Sequence, residues 1–230
     1  MDNQVRLNKF LASRLGISRR EADELISSGK ITINGAPAIT GVKVDKNDKV
    51  CYNKKIIPFA TEYTYLAFHK PTGYVCSRRA QGATPTLYDL LPPNFRKLKT
   101  VGRLDKDTSG LILLTDDGDF AFRLTHPKFH KEKVYEVELD HPLTPLHQQM
   151  ISDFGIEIGD GISQFRVIRD EDFPDRKHFT IILTEGRNRQ IRRTFSALGY
   201  EVTRLHRTQF GKYKLGNLPP GQWERIAQKR

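Results

Sequence analysis

Residues 101–119 read VGRLDKDTSGLILLTDDGD. Asp105 lies between Arg103 and Lys106, and flanking cations favour the ionised form of a carboxylate. Four large aliphatics follow at residues 111–114, bounded by Gly110 and Asp116, and predict a strand buried on both faces. A charged carboxylate at the mouth of a rigid buried strand is how a site residue is presented. The plain alternative is a turn with solvated charges.

A second cluster, EGRNRQIRR, fills residues 185–193. Arg189 stands three and four residues before Arg192 and Arg193, on one helical face. Like charges at that spacing cost roughly 0.2–0.5 kcal/mol per pair. Such a cluster needs an anion, whether a carboxylate, phosphates or both; a solvated basic face is the alternative. A third candidate is Tyr135 in KVYEVEL, where Tyr135, Val137 and Leu139 share a strand face with Lys133. Asp116, Asp117 and Asp119 beside Asp105 would suit a metal-dependent nuclease or glycosidase, although DDGD also reads as a turn and helix cap.

The elements that must position these residues follow from periodicity. Residues 65–68 start a strand that residues 69–73 turn. Leu87, Leu90 and Leu91 predict a short helix ended by Pro92 and Pro93. A helix begins at Asp119, and Thr144-Pro145 caps another. Further strands are expected over 133–139, 164–168, 178–183 and 202–205, with a helix from Arg189 to near Leu198. Trp223 is expected in the core. Strands with intervening helices and few long crossovers predict an α+β fold with a mixed, mainly antiparallel sheet.

The N-terminal part has a different character. Leu7, Phe10, Leu11 and Leu15 fall at helical spacing before Gly16. Ser18 and Glu21 form a capping box for a second helix, which Gly29 stops. Asn34-Gly35 marks a tight turn. Arg19 and Arg20 occupy the first helical turn, where the macrodipole disfavours cations, so helix stability does not explain them. Guanidinium groups at a helix N-terminus suit a phosphate, and Arg6, Lys9 and Lys30 extend that face. Residues 56–62, with Pro58 and no clear period, predict the linker, giving domains at 1–58 and 63–230.

Charge separates along the 230 residues. The net charge is +11, with 11 Lys/Arg against 6 Asp/Glu in residues 1–60 and 11 against 3 in residues 185–230. The middle holds 16 against 18. Basic ends around a near-neutral body point to a polyanion, nucleic acid by default. Arg78 and Arg79, in a polar loop, face RNA or solvent. Two cysteines are too few for a disulfide framework or a four-ligand zinc site and suit a reducing cytosol. No apolar run approaches a membrane helix, and the N-terminus lacks a signal core, so a cytoplasmic location is expected.

Residues 5–52 carry R-L-x-K-x-L, S-R-R-x-A and G-x-I-x-x-N-G, and resemble the αL RNA-binding motif of ribosomal small-subunit protein four. Residues 102–105 (GRLD), 107–111 (DTSGL), 133–135 (KVY), 185–193 (EGRNRQIRR) and 70–74 (KPTGY) together resemble the RsuA-like branch of ribosomal RNA pseudouridine synthases. That resemblance implies isomerisation of a uridine in rRNA to pseudouridine, without cofactor or metal, by a monomer acting on rRNA or a pre-ribosomal particle. It makes Asp105 the catalytic carboxylate, Tyr135 the residue stacking on the target base, and Arg192 the partner of Asp105. RNA contacts are expected from Arg103, Lys133, Arg187, Arg189, Gln190 and Arg193 around the site. In the N-terminal module they are expected from Arg6, Lys9, Arg19, Arg20, Lys30 and Asn34. Residues 73–77 and 86–89 lean toward a small-subunit (16S) target, and GRNRQIRR toward a large-subunit (23S) one. A non-catalytic rRNA-binding or ribosome-assembly protein would share the basic module.

Overall fold

The computed structural model describes residues 4–59, 62–78 and 82–228. The N-terminal helices run Leu7–Arg14 and Arg19–Ser27. The capping box forms as expected: the Glu21 amide donates to Ser18 Oγ at 3.1 Å, and the Ser18 amide to Glu21 Oε2 at 2.6 Å. Four short strands lie beside the helices in the order Ala36–Pro37, Ile31–Ile33, Val50–Tyr52, Lys55–Ile56. Leu7, Leu11, Ala22, Ile31, Val44 and Val50 are fully buried between them. This core runs into the expected linker: Ile57 is buried, and the Phe59 ring stacks on Phe10 at 4.3 Å. Apolar contact overrides the lack of a period there; Ala60 and Thr61 lie outside the described residues.

The larger part is built on a mixed sheet, nine-stranded among the described residues. Its main path is Arg166–Arg169, His178–Leu183, Lys133–Leu139, Val202–Phe210, Ser109–Thr115, Tyr65–Lys70, Trp223–Arg225. Neighbours are antiparallel except Val202–Phe210 and Ser109–Thr115, which run parallel with Arg207 opposite Gly110. Residues 110–115 are all buried, as the apolar run requires. Two expectations were too short. Tyr65–Lys70 carries His69 and Lys70 as strand, and Val202–Phe210 continues well past Leu205. Both are extended by inward-facing polar residues that interrupt the apolar pattern.

Helix Gln190–Ala197 packs Ile191 and Phe195 into the core cluster that holds Tyr135 and Leu205. Helix Gly118–Thr125 covers the other cluster with Phe120 and Leu124. Trp223 packs partly buried against Phe95, ring centroids 4.7 Å apart.

The two parts touch through polar contacts. Lys9 Nζ pairs with Asp119 at 2.6 Å, and Ser13 Oγ donates to the Asp116 carbonyl at 2.8 Å. Lys99 Nζ donates to the Ile17 and Ala12 carbonyls at 2.7 and 3.3 Å. Arg78, although exposed, donates to the carbonyls of Gly16, Arg96 and Leu98 and so bridges the two parts. Arg79 lies outside the described residues. No helix among the described residues is long and apolar enough to cross a membrane.

Candidate active site

Asp105 sits on the loop that joins strand Lys99–Val101 to strand Ser109–Thr115. Three residues from KPTGYVC hold that loop from behind. Lys70, fully buried, donates to the carbonyls of Thr108 at 2.7 Å, Pro71 at 3.0 Å and Lys106 at 3.4 Å. The Gly73 amide donates to the Lys106 carbonyl at 2.8 Å. The Cys76 thiol donates to the Leu104 carbonyl and accepts the Leu104 amide, both at 3.3 Å. Burial lowers Lys70 to about 8 and pushes the Cys76 thiol up. The carbonyls before and after Asp105 are therefore pinned, while its carboxylate has no hydrogen-bond or ion-pair partner among the described residues.

That carboxylate lines a cavity of about 300 Å³. Tyr135, Arg207, Leu205, Ile191 and Phe210 form its deeper wall, and Arg103, Arg187 and Arg189 contribute to its lining nearer the surface. Tyr135 and Arg207 are register partners on adjacent strands. The pairing shifts there, with Val134 opposite Gln209, so a bulge at Thr208 re-aims the strand beside the pocket. Arg207 Nη1 approaches the Tyr135 hydroxyl at 3.5 Å.

The 185–193 cluster finds its anions mainly within the chain. Arg187 and Arg193 both bind Asp160, Arg187 Nη1 at 3.1 Å and Arg193 Nη1 at 3.0 Å, and both also donate to carbonyls of the 156–163 hairpin. Arg193 holds the Asp160 carboxyl below its usual range. Gln190 is buried; its Oε1 accepts the Arg187 amide and its Nε2 donates to Ser163 Oγ and Glu185. All three side chains clamp the hairpin and the helix start together. Arg189 remains half exposed on the rim, with positive φ of 46° and a 3.3 Å ion pair to Asp107.

Arg192 corrects an expectation. It does not pair with the Asp105 carboxylate: Nη1 donates to the Val202 carbonyl at 2.6 Å and Nη2 to the Asp107 carbonyl at 2.9 Å. Carbonyls at the start of the neighbouring strand and on the loop itself hold its two terminal nitrogens, while its Nε is buried without a partner among the described residues, so Arg192 ties helix to loop. Burial lowers its pKa, then the Arg189 charge; Asp107 and Asp105 oppose both.

Lys133 Nζ donates to the carbonyls of Lys131, Thr184 and Glu185 at 3.2–3.3 Å, and burial followed by the Arg207 charge lowers it to about 8. Asp116, Asp117 and Asp119 are engaged elsewhere. Asp116 accepts the Thr64 amide, Asp117 caps helix Gly118–Thr125, and Asp119 pairs with Lys9.

In the N-terminal module Arg6, Arg19, Arg20 and Lys30 are exposed. Lys9 is committed to Asp119. Asn34, at φ 52°, spends its amide within the turn: Nδ2 donates to Asp48 and Oδ1 accepts the Lys49 amide.

Two residues with large roles were not singled out from sequence, Arg207 as a pocket residue and Cys76 as a loop anchor. The signal for Arg207 is parity. It stands two residues after Leu205 on one strand, on the buried face, where a cation is out of place.

Residues 64–197 match the model of the RNA pseudouridylate synthase family, and residues 5–56 match the S4 domain. The ribosomal small subunit pseudouridine synthase A of Pasteurella multocida is 35% identical over 97% of this chain and 96% of that protein. The Yersinia pestis protein of the same name is 36% identical over 97% and 95%. The dual-specificity RNA pseudouridine synthase RluF of Salmonella typhi is 35% identical, over 98% of this chain and 77% of its own length. A crystal structure of a pseudouridylate synthase superposes with a TM-score of 0.68 at 32% identity, covering 97% of this chain and 96% of that one.

Proposed function

The chain belongs to the RNA pseudouridylate synthase family and carries an N-terminal S4 domain, and from that premise we propose that it converts a uridine of small-subunit ribosomal RNA to pseudouridine, with Asp105 as the catalytic carboxylate. The small-subunit relatives support this target, because they match along nearly their whole length. The observation that carries the site is the Asp105 cavity. One unpaired carboxylate, held by a pinned loop, faces an aromatic and a buried cation.

The target base leaves its stack at a cost of a few kcal/mol. Stacking on Tyr135 returns about 1–3 kcal/mol of this. Breaking the N1–C1′ bond leaves positive charge on the sugar, which the Asp105 carboxylate stabilises or traps. The uracil turns and C5 bonds to C1′. The C5 proton is lost and N1 gains one, a transfer that the Tyr135 hydroxyl on the pocket wall can relay. One carboxylate suffices, because the base is reattached and no water is activated. Arg192 and Lys70 fix the loop; Arg103 and Arg189, with the Arg6, Arg19, Arg20 and Lys30 face of the S4 domain, hold flanking phosphates.

The test is pseudouridine mapping across both rRNAs with and without the gene, joined to an assay of purified protein on unmodified rRNA. The wild type forms one pseudouridine in small-subunit rRNA. Asp105→Asn binds that RNA equally well and is slower by at least about 10²–10⁴-fold. A site lost only from large-subunit rRNA moves the target there, and normal activity of Asp105→Asn removes the assignment.

A further inference from the structure

Arg207 is the largest fully buried side chain among the described residues, at 1% exposure. It forms no ion pair among those residues. Its Nε donates to the Leu111 carbonyl at 2.8 Å, its Nη1 makes only the 3.5 Å contact to Tyr135, and its Nη2 has no partner. Leaving a buried guanidinium without a counter-ion costs stability. Fold packing does not require it: the same site is walled by Leu205, Phe210 and the Tyr135 ring. The Phe210 ring lies 4.9 Å from the Arg207 guanidinium and 5.3 Å from Lys133 Nζ, within cation–π reach of both. Nor does Arg207 serve phosphates, since it is covered from solvent; the exposed Arg103 and Arg189 do that from the rim. Its charge acts inward.

We infer that Arg207, from behind Tyr135, supplies the fixed positive field that stabilises the negative charge arising on the detached uracil. The inference rests on the reading that the Asp105 cavity holds the target base. When N1–C1′ breaks, the bonding electron pair goes to uracil and spreads over N1, O2 and O4. The complementary positive charge on C1′ falls to Asp105. The pocket thus opposes one carboxylate, for the sugar, to a buried cation, for the base. A charge placed before the reaction costs no reorganisation during it and acts strongly where water is excluded. The same charge helps lower Lys133. The anion exists only between bond breaking and bond making, so the field acts on kcat and leaves ground-state RNA binding alone.

Single-turnover rates and RNA affinities are measured for wild type, Arg207→Met and Arg207→Lys on substrate RNA carrying uridine or 5-fluorouridine at the target. The readout is cleavage of the N1–C1′ bond, which precedes loss of the C5 substituent. Fluorine makes uracil a better anion, so the field matters less. Arg207→Met is expected to lose about 10²-fold in rate on uridine with unchanged RNA affinity, and several-fold less on 5-fluorouridine. Arg207→Lys keeps the charge and recovers part of the rate. A merely structural role predicts equal losses on both bases, and that result overturns the inference, as does a wild-type rate in Arg207→Met. Melting curves accompany each variant. Should Arg207→Met not fold, Arg207→Lys carries the comparison: a shorter, displaced charge gives the same base-dependent loss, and a base-independent loss overturns the inference. Asp105→Asn runs alongside: if it is active, the site reading fails, whereas an inactive Asp105→Asn with base-independent Arg207 variants sinks this inference alone.

Discussion

Gly110 lies against the backbone of Arg207 so closely that a Cβ on it would stand 2.2 Å from the Arg207 carbonyl oxygen and 2.5 Å from its nitrogen. The contact sits at the parallel pairing of strands Ser109–Thr115 and Val202–Phe210. Gly110 also has φ of 108°, where side chains are strained. Neither backbone can retreat without opening the central sheet between Asp105 and Arg207. Gly110→Ala is expected to destabilise by on the order of 3 kcal/mol or more, about 6–12 °C in Tm, and to abolish activity even in the folded fraction. Calorimetry with a turnover assay checks both effects.

Asp160 is the anion that Arg187 and Arg193 of the 185–193 cluster share. Asp160→Asn removes the charge and keeps the shape, so both arginines lose their shared counter-ion. Hydrogen exchange should quicken in the 156–163 hairpin and the first turn of helix Gln190–Ala197, with a lower Tm. The acid sensitivity has a definite sign. The folded carboxyl lies below its unfolded value, so its contribution is complete above about pH 3.9 and fades as pH falls through the lowered value. That fading is absent in Asp160→Asn.

The elements that apolar periodicity and caps define locally were legible: strands Lys133–Leu139 and His178–Leu183 fall where alternation puts them, and the Ser18 capping box forms. Asp105 and Tyr135 meet at one cavity. What sequence did not reveal depends on long-range geometry. Arg192 sits on the expected helix, but its partners, the carbonyls of Asp107 and Val202, are backbone atoms that no residue pattern encodes. The clamp by Asp160 joins positions 27 and 33 residues apart through a hairpin of two two-residue strands, too short to leave a period. The expected turn over 69–73 takes in Lys70 and the expected strand over 202–205 stops short of Arg207, because their charge masks inward parity. Asn34 forms the tight turn that Asn34-Gly35 marks, and the hydrogen bonds its side chain makes to Asp48 and Lys49 across that turn are the part the sequence did not show.

Lys70 and Lys133 are both lowered to about 8, by burial first in each case. Activity is expected to fall above pH 8 as Lys70 loses a proton it donates to the carbonyls beside Asp105 and Lys133 loses its charge beside Phe210. Stability moves the other way. Between about 8 and the free-lysine value near 10.4 the unfolded chain binds more protons, so linkage raises the unfolding free energy with pH. The pH–rate profile of Lys70→Met and Lys133→Met identifies which lysine sets the limb: the responsible variant is slower at neutral pH and flat across pH 7–9. Profiles that keep the limb in both variants would assign it to another group.

Arg19 and Arg20 are exposed in the first turn of helix Arg19–Ser27, whose dipole already favours an anion, whereas Lys9 on the adjoining helix is paired with Asp119. Their contributions to RNA binding should therefore differ. Arg19→Ala/Arg20→Ala together is expected to weaken RNA affinity and to reduce the slope of log K against log salt by roughly 1.4–1.8, the value for two phosphate contacts. The rate at saturating RNA should remain near wild type, because neither residue reaches the Asp105 cavity. Lys9→Ala should leave the slope almost unchanged and instead lower the melting temperature through the lost contact between the two parts of the chain. A full unit lost from the slope in Lys9→Ala would show that RNA displaces Asp119 from Lys9, and that the contact between the S4 module and the catalytic part opens on binding.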